Sequence, residues 1–118
     1  MNHIETSILC IITYSVIAHV GVSIVGISET YWSKKSIENY IRLAKRQEWD
    51  KFGGNYGSKQ SKLLYDTVLA TNINVQGKNV LVIGSIKPWV ESIFLSLGAN
   101  QTVTLEYNKI MSRHPQVK

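Results

Sequence analysis

Residues 80–106 read VLVIGSIKPWVESIFLSLGANQTVTLE, and the reading of this stretch decides the fold class. Val80 to Ile83 is a continuous apolar run of strand length, suited to a strand covered on both faces as in a parallel sheet. Gly84-Ser85 breaks the run, and Pro88 suits the first turn of a helix, where its missing N–H has no intrahelical partner to lose. Trp89, Val90, Ile93, Phe94 and Leu97 then recur at helical spacing, and Gly98 fits the C-terminal stop. Thr102 to Leu105 alternates as a second strand, so the segment predicts β-α-β and an α/β protein.

Glu106 ends that second strand, 22 residues after Gly84. In Rossmann-type folds an acidic side chain at this position accepts hydrogen bonds from ribose hydroxyls, and the turn after the first strand lets a cofactor approach the backbone. The turn discriminates between cofactors. It holds one glycine, not G-x-G-x-x-G, and Lys87-Pro88 stands where a helix start would offer free N–H groups to a pyrophosphate. NAD and FAD are therefore disfavoured. S-adenosylmethionine, which carries no phosphate, needs only a close-approach residue and the ribose acid. The alternative is that Glu106 is a solvated strand end and the β-α-β a unit without a ligand.

Upstream, residues 49–61 read WDKFGGNYGSKQS, with Gly53, Gly54 and Gly57 inside five positions. Such a cluster marks backbone that needs positive φ or close approach. Ser58 is the expected N-cap of a helix that would bury Leu63, Leu64, Val68 and Leu69. The loop, with Ser58 and Lys59, could hold an anionic or polyol ligand, but the spacing favours a tight helix-to-helix turn. It is not a P-loop, because the G-x-x-x-x-G-K-[ST] order is missing. Between Tyr31 and Asp50, Ile37, Tyr40, Ile41 and Ala44 recur at i, i+3, i+4, i+7 among Lys34, Lys35, Glu38, Arg42, Lys45 and Arg46, the pattern of one amphipathic helix.

The first thirty residues differ in kind. Residues 8–27, ILCIITYSVIAHVGVSIVGI, carry no Asp, Glu, Lys or Arg, and eleven of the twenty are Ile, Leu or Val. As a helix this run would reach about 30 Å, the hydrocarbon thickness of a bilayer. The expectation is a hydrophobic helix over residues 1–30 acting as a single-pass membrane anchor. A cleaved signal peptide, leading to secretion, and a core element of a soluble domain are the alternatives. The run exceeds the usual signal h-region of about 7–15 residues, and MNHIETS lacks the basic n-region. All thirteen Lys and Arg lie at or after Lys34, which would place the C-terminal side in the cytosol.

Composition bounds the remainder. The chain has 118 residues, a net charge of +5 and one cysteine, Cys10, so a disulfide framework and a Cys-based zinc site are excluded. The charge divides into −2 for residues 1–33 and +7 for residues 34–118, spread over three segments without an aromatic-basic cluster, so nucleic acid is not an expected partner.

Four blocks resemble a domain family of unknown function found mainly in nematodes, with the fold of an S-adenosylmethionine-dependent methyltransferase: residues 49–61, Val80 to Ser85 with Pro88 to Glu91, Leu97 to Ala99, and Thr104 to Asn108. The resemblance covers residues 31–118. It implies a Rossmann-like fold of which this chain holds the first half, with Gly84 and Ser85 in the cofactor-binding turn, Glu106 as the ribose acid and Pro88 to Glu91 as the helix start. Glu91 would either face the cofactor or cap the helix. The family pattern continues beyond Lys118 into strands and a substrate-orienting segment not found here, so no catalytic residue is identified. The expectation is a membrane-anchored or secretory-route protein with a truncated methyltransferase-like domain, not catalytic alone. The alternative is a non-enzymatic anchored interaction module using the basic helix and an exposed sheet edge.

Overall fold

The computed structural model describes residues 8–12, 29–106 and 109–118. In chain order these form β1 (Ile8–Ile12), β2 (Glu29–Trp32), α1 (Lys34–Lys45), α2 (Trp49–Phe52), α3 (Ser58–Ala70), β3 (Asn79–Ile83), α4 (Trp89–Ser96), β4 (Gln101–Leu105) and β5 (Lys109–Ser112). The chain is thus mixed α/β, and β3-α4-β4 is the expected β-α-β unit. Its strands pair in parallel, with Asn79 opposite Gln101 and Ile83 opposite Leu105.

β1 adds to the other side of β3, also in parallel, so the sheet order is β1-β3-β4 with Ile12, Ile83 and Leu105 level at one end. This departs from the expected N-terminal helix: five of the twenty residues of the apolar run are strand. A short apolar stretch such as ILCII fits a buried strand and a buried helix equally well by pattern. Its three isoleucines favour the extended form once β3 offers unpaired backbone groups. The rest of the apolar run, residues 13–27, lies outside the described residues, and residues 29 and 30 of the expected segment belong to β2. Among the described residues no helix is long and apolar enough to cross a membrane.

β2 and β5 form a separate parallel pair, Glu29 opposite Lys109 and Trp32 opposite Ser112. Tyr31 and Trp32 therefore belong to a strand, not to the helix expected from Tyr31 onward. The last residues also pair: Thr102 N–H donates to Gln116 O at 2.7 Å and Lys118 N–H to Thr102 O at 2.8 Å, which lays the tail along the outer edge of β4. His114 fastens this tail. Gln116 N–H donates to its Nδ1 (3.1 Å), which assigns the ring proton to Nε2, 2.7 Å from Glu38 Oε2 on α1.

The core lies between α1, α4 and the β1-β3-β4 sheet. Val80 and Val82 are buried while Leu81 and Ile83 are half-buried, so β3 is fully covered on one face and partly on the other, less than its continuous apolar run predicts. Seven successive α4 residues, Trp89 to Leu95, are all buried, including Glu91 and Ser92. A helix enclosed on every side has no solvent face to keep polar, and its two buried polar side chains must find partners within the protein. α4 stops in a Schellman motif, with Gly98 at φ 97°, Gly98 N–H on Leu95 O and Ala99 N–H on Phe94 O.

α1 starts where Ser33 Oγ accepts from Ser36 N–H (3.0 Å) and ends in the same motif as α4, with Gln47 N–H on Ala44 O and Glu48 N–H on Leu43 O. Here the left-handed position is not glycine: Gln47 sits at φ 56°. A side chain in this region costs roughly 1 kcal/mol. Gln47→Gly is therefore expected to raise stability by about 0.5–1 kcal/mol, and a urea melt showing destabilisation would contradict the capping argument.

α3 differs from expectation in the face it buries. Ser61 and Val68 are buried with Leu64 and Tyr65 beside them, whereas Leu63 and Leu69 are 58% and 56% exposed. Leu63 and Leu69 each lie about 100° around the helix from the Leu64–Val68 stripe, on opposite sides. The cap also differs: Gly57 precedes the helix and Ser58 is its first residue, with no side-chain cap bond. Edge contacts of Tyr40 with Phe52 (5.0 Å between ring centres) and Trp49 with Phe52 (5.3 Å), and a tilted contact of Trp49 with Tyr65 (5.1 Å), join α1, α2 and α3.

Candidate functional site

Parallel strands present their carboxyl ends at one edge, and in open α/β sheets that edge is where ligands bind. Gly84 leaves the end of β3 at φ 81° and its N–H donates to Leu105 O (2.8 Å), which carries the ladder one residue past the strand. This delivers Ser85 to Glu106. Ser85 N–H donates to Glu106 Oε2 at 2.7 Å, so the turn and the acid expected from the sequence meet in space.

Three further hydrogen bonds hold the turn. Ile86 O accepts from Trp32 Nε1 (2.9 Å), Lys87 N–H donates to Asn55 Oδ1 (3.2 Å), and Trp89 N–H closes back on Lys87 O (2.8 Å) around Pro88, whose φ −79° and ψ 51° are those of an inverse γ-turn. The Asn55 contact joins two segments that the sequence offered separately. Gly54, at φ 98°, lies against Trp89 and Ser61, and a Cβ there would stand 2.5 Å from Ser61 Oγ. Ser61 Oγ donates to Gly53 O (2.7 Å), and Tyr56 meets the Trp89 ring edge-on at 5.9 Å. The glycine loop is thus both the tight α2–α3 connection and a wall of the turn, while Lys59 is exposed beyond it. The side-chain nitrogens of Asn55 and Trp89 are buried without a hydrogen-bond partner, the cost of bringing these two loops together.

Glu91 sits in the first turn of α4, where its carboxyl also accepts from its own backbone N–H. It is wholly buried, with Oε2 accepting from Thr104 Oγ1 (2.7 Å) and Oε1 lying 3.1 Å from Ser85 Oγ. Ser85 Oγ also donates to Lys87 O at 2.8 Å. Burial pushes the Glu91 carboxyl up to about 7, its hydrogen bonds from Thr104, its own backbone and Ser85 pull it back, and Glu106 adds a further upward push. Two carboxyl groups therefore bracket Ser85, one on its N–H and one on its hydroxyl.

Chemically, the turn has little to offer a phosphate. Of the residues Gly84 to Trp89, four donate their N–H groups within the protein and Pro88 has none. What it presents instead is a close backbone approach at Gly84 and an oriented carboxylate at Glu106. Among the described residues no group of three His, Cys, Asp or Glu is placed to hold a metal ion. Glu91 as a partner of Ser85 was missed in the sequence, although the side chains that meet it, Ser85 and Thr104, sit at the two strand ends the motif already identified. No protein-family model, no curated protein and no solved structure matches this chain.

Proposed function

We propose that this chain binds a nucleoside-type ligand lacking a pyrophosphate, S-adenosylmethionine being the foremost candidate, at the carboxyl ends of β3 and β4 in a Rossmann-like, methyltransferase-like arrangement. Gly84 and Ser85 form the turn that the ligand approaches, and Glu106 accepts from its ribose hydroxyls. The observation carrying this reading is the 2.7 Å bond between Ser85 N–H and Glu106, which sets the acid against the turn while the N–H groups of Gly84, Lys87 and Trp89 are consumed internally. A ligand recognised there needs hydroxyl donors and no phosphate cradle. Methyl transfer requires a nucleophile held in line with the sulfonium methyl, and no side chain is given that role.

The interaction-module alternative drew on an exposed sheet edge, and the tail from Gln116 to Lys118 pairs along part of that edge. The ligand reading does not depend on a membrane anchor, because all three residues lie within 29–106.

Titration calorimetry of the full chain is expected to give saturable heat with S-adenosylmethionine and none with NAD. A hydrogen bond to a charged group contributes about 1.5–3 kcal/mol, so Glu106→Ala should weaken binding by roughly tenfold to a hundredfold. Absence of heat from folded protein removes the proposal.

A further inference from the structure

Ser85 Oγ carries one hydrogen, yet it lies 2.8 Å from Lys87 O and 3.1 Å from Glu91 Oε1. A carbonyl oxygen can only accept. If Glu91 were a carboxylate it too could only accept, and one of the two short contacts would have no proton between its atoms. Both are satisfied when the proton sits on Oε1: Glu91 donates to Ser85 Oγ, Ser85 donates to Lys87 O, and Oε2 accepts from Thr104. We propose that Glu91 is a proton-dependent positioning residue, which as the neutral acid fixes the turn after β3 through Ser85 and as the carboxylate releases it.

On ionisation the proton leaves Oε1 for solvent, and the Ser85 hydroxyl rotates its single hydrogen from Lys87 O to Oε1. Lys87 O keeps Trp89 N–H and loses Ser85. The turn then gives up one of its internal ties on the side facing Glu106. Burial independently favours the neutral acid, pushing the carboxyl up to about 7. Among the described residues, few charges compete for control of Glu91. Of the elements packed on α4, α1 buries Ile37, Leu43 and Ala44 against the core, α3 Ser61 and Val68, and β3 Val80 and Val82, none of them titratable. From β4 come Thr104 and, just past its end, Glu106, whose charge acts on Glu91 in the same direction as burial.

The consequence for ligand affinity rests on the nucleoside reading above; the proton relay does not. If the fixed turn is the binding form, affinity falls several-fold as pH rises through the Glu91 midpoint, and by linkage a bound ligand raises that midpoint.

The test is an NMR titration of the full chain from about pH 5 to about pH 9, following the Glu91 carboxyl carbon, the Lys87 carbonyl carbon and the Ser85 amide. One shared midpoint near neutrality is expected. Glu91→Gln supplies an N–H for Ser85 and an oxygen for Thr104, so it should hold the acid-form shifts at every pH. Thr104→Val removes a bond that favours the charged form and should move the midpoint upward at Glu91, Lys87 and Ser85 together, a co-movement that a purely structural role for Glu91 would not produce. A Glu91 midpoint at the ordinary carboxyl value, a Lys87 carbonyl that ignores the titration, or base-form shifts in Glu91→Gln each overturn the proposal. S-adenosylmethionine titrations at the two pH limits separate the claims. If nothing binds at either limit the nucleoside reading falls while the shared midpoint still upholds the relay; equal affinity at both limits refutes the coupling.

Discussion

Raising the pH from about 4.5 to about 7 is expected to lower the stability of this protein by about 3 kcal/mol through Glu91 alone. The sign follows from where the proton is held. Below the ordinary carboxyl value both the folded and the unfolded chain carry it, and the stabilisation is fully present. Between that value and about 7 the unfolded chain has released the proton while the buried Glu91 keeps it, so each increase in pH favours unfolding. Above about 7 the folded chain must accommodate a buried charge and the loss is complete. The hydrogen bonds from Thr104 and Ser85 limit the loss, since they favour the carboxylate that desolvation opposes. Every other carboxyl group is common to wild type and Glu91→Gln. The difference between their urea-melt stabilities across this window therefore isolates Glu91: wild type should decline relative to the variant as pH rises. Parallel curves would mean that Glu91 titrates alike in both states.

The elements most legible in the sequence are those whose pattern is local. Val80 to Ile83, Pro88, the helical apolar spacing after it and Gly98 each act within their own segment, and β3, α4 and its stop are found where they point. Gly84, Ser85 and Glu106 were legible as a set for a similar reason, because a parallel β-α-β unit brings the two strand ends level whatever surrounds it. β1 was not legible. Ile8 to Ile12 continues through Thr13-Tyr14-Ser15 into further apolar residues with no Gly, Pro or charged residue between, so no strong signal marks where extended pairing ends, and length argued for a helix. The tail was hidden differently: the pairing of Gln116 and Lys118 with Thr102 depends on a chain reversal near Arg113-His114-Pro115, with no apolar alternation to announce it. At the site, Glu91 was visible as a residue and opaque as a function. Its role arises from a serine and a threonine that flank it at sequence separations of 6 and 13, a distance relation that only packing creates.

Phe94→Ala is expected to cost about 3–5 kcal/mol and to lower the melting temperature by about 10–20 °C, whereas Leu63→Ala should change stability by no more than about 0.5 kcal/mol. Both residues are large and apolar, and both fall at helical spacing in the sequence. They differ in what surrounds them. Phe94 is 1% exposed in a helix enclosed on all sides, so truncation leaves a cavity that α1 and the sheet cannot close without moving paired backbone. Leu63 is 58% exposed on α3, and truncation removes surface that already meets water. A loss of this size is a large share of the about 5–15 kcal/mol by which domains are stable, so Phe94→Leu provides a graded companion that stays folded, with an expected cost below about 1.5 kcal/mol. The ordering Phe94→Ala, Phe94→Leu, Leu63→Ala tests the placement of α4 directly. If Phe94→Ala were as mild as Leu63→Ala, α4 would have a solvent face and the buried Glu91 beside it would lose the desolvation on which its retained proton depends.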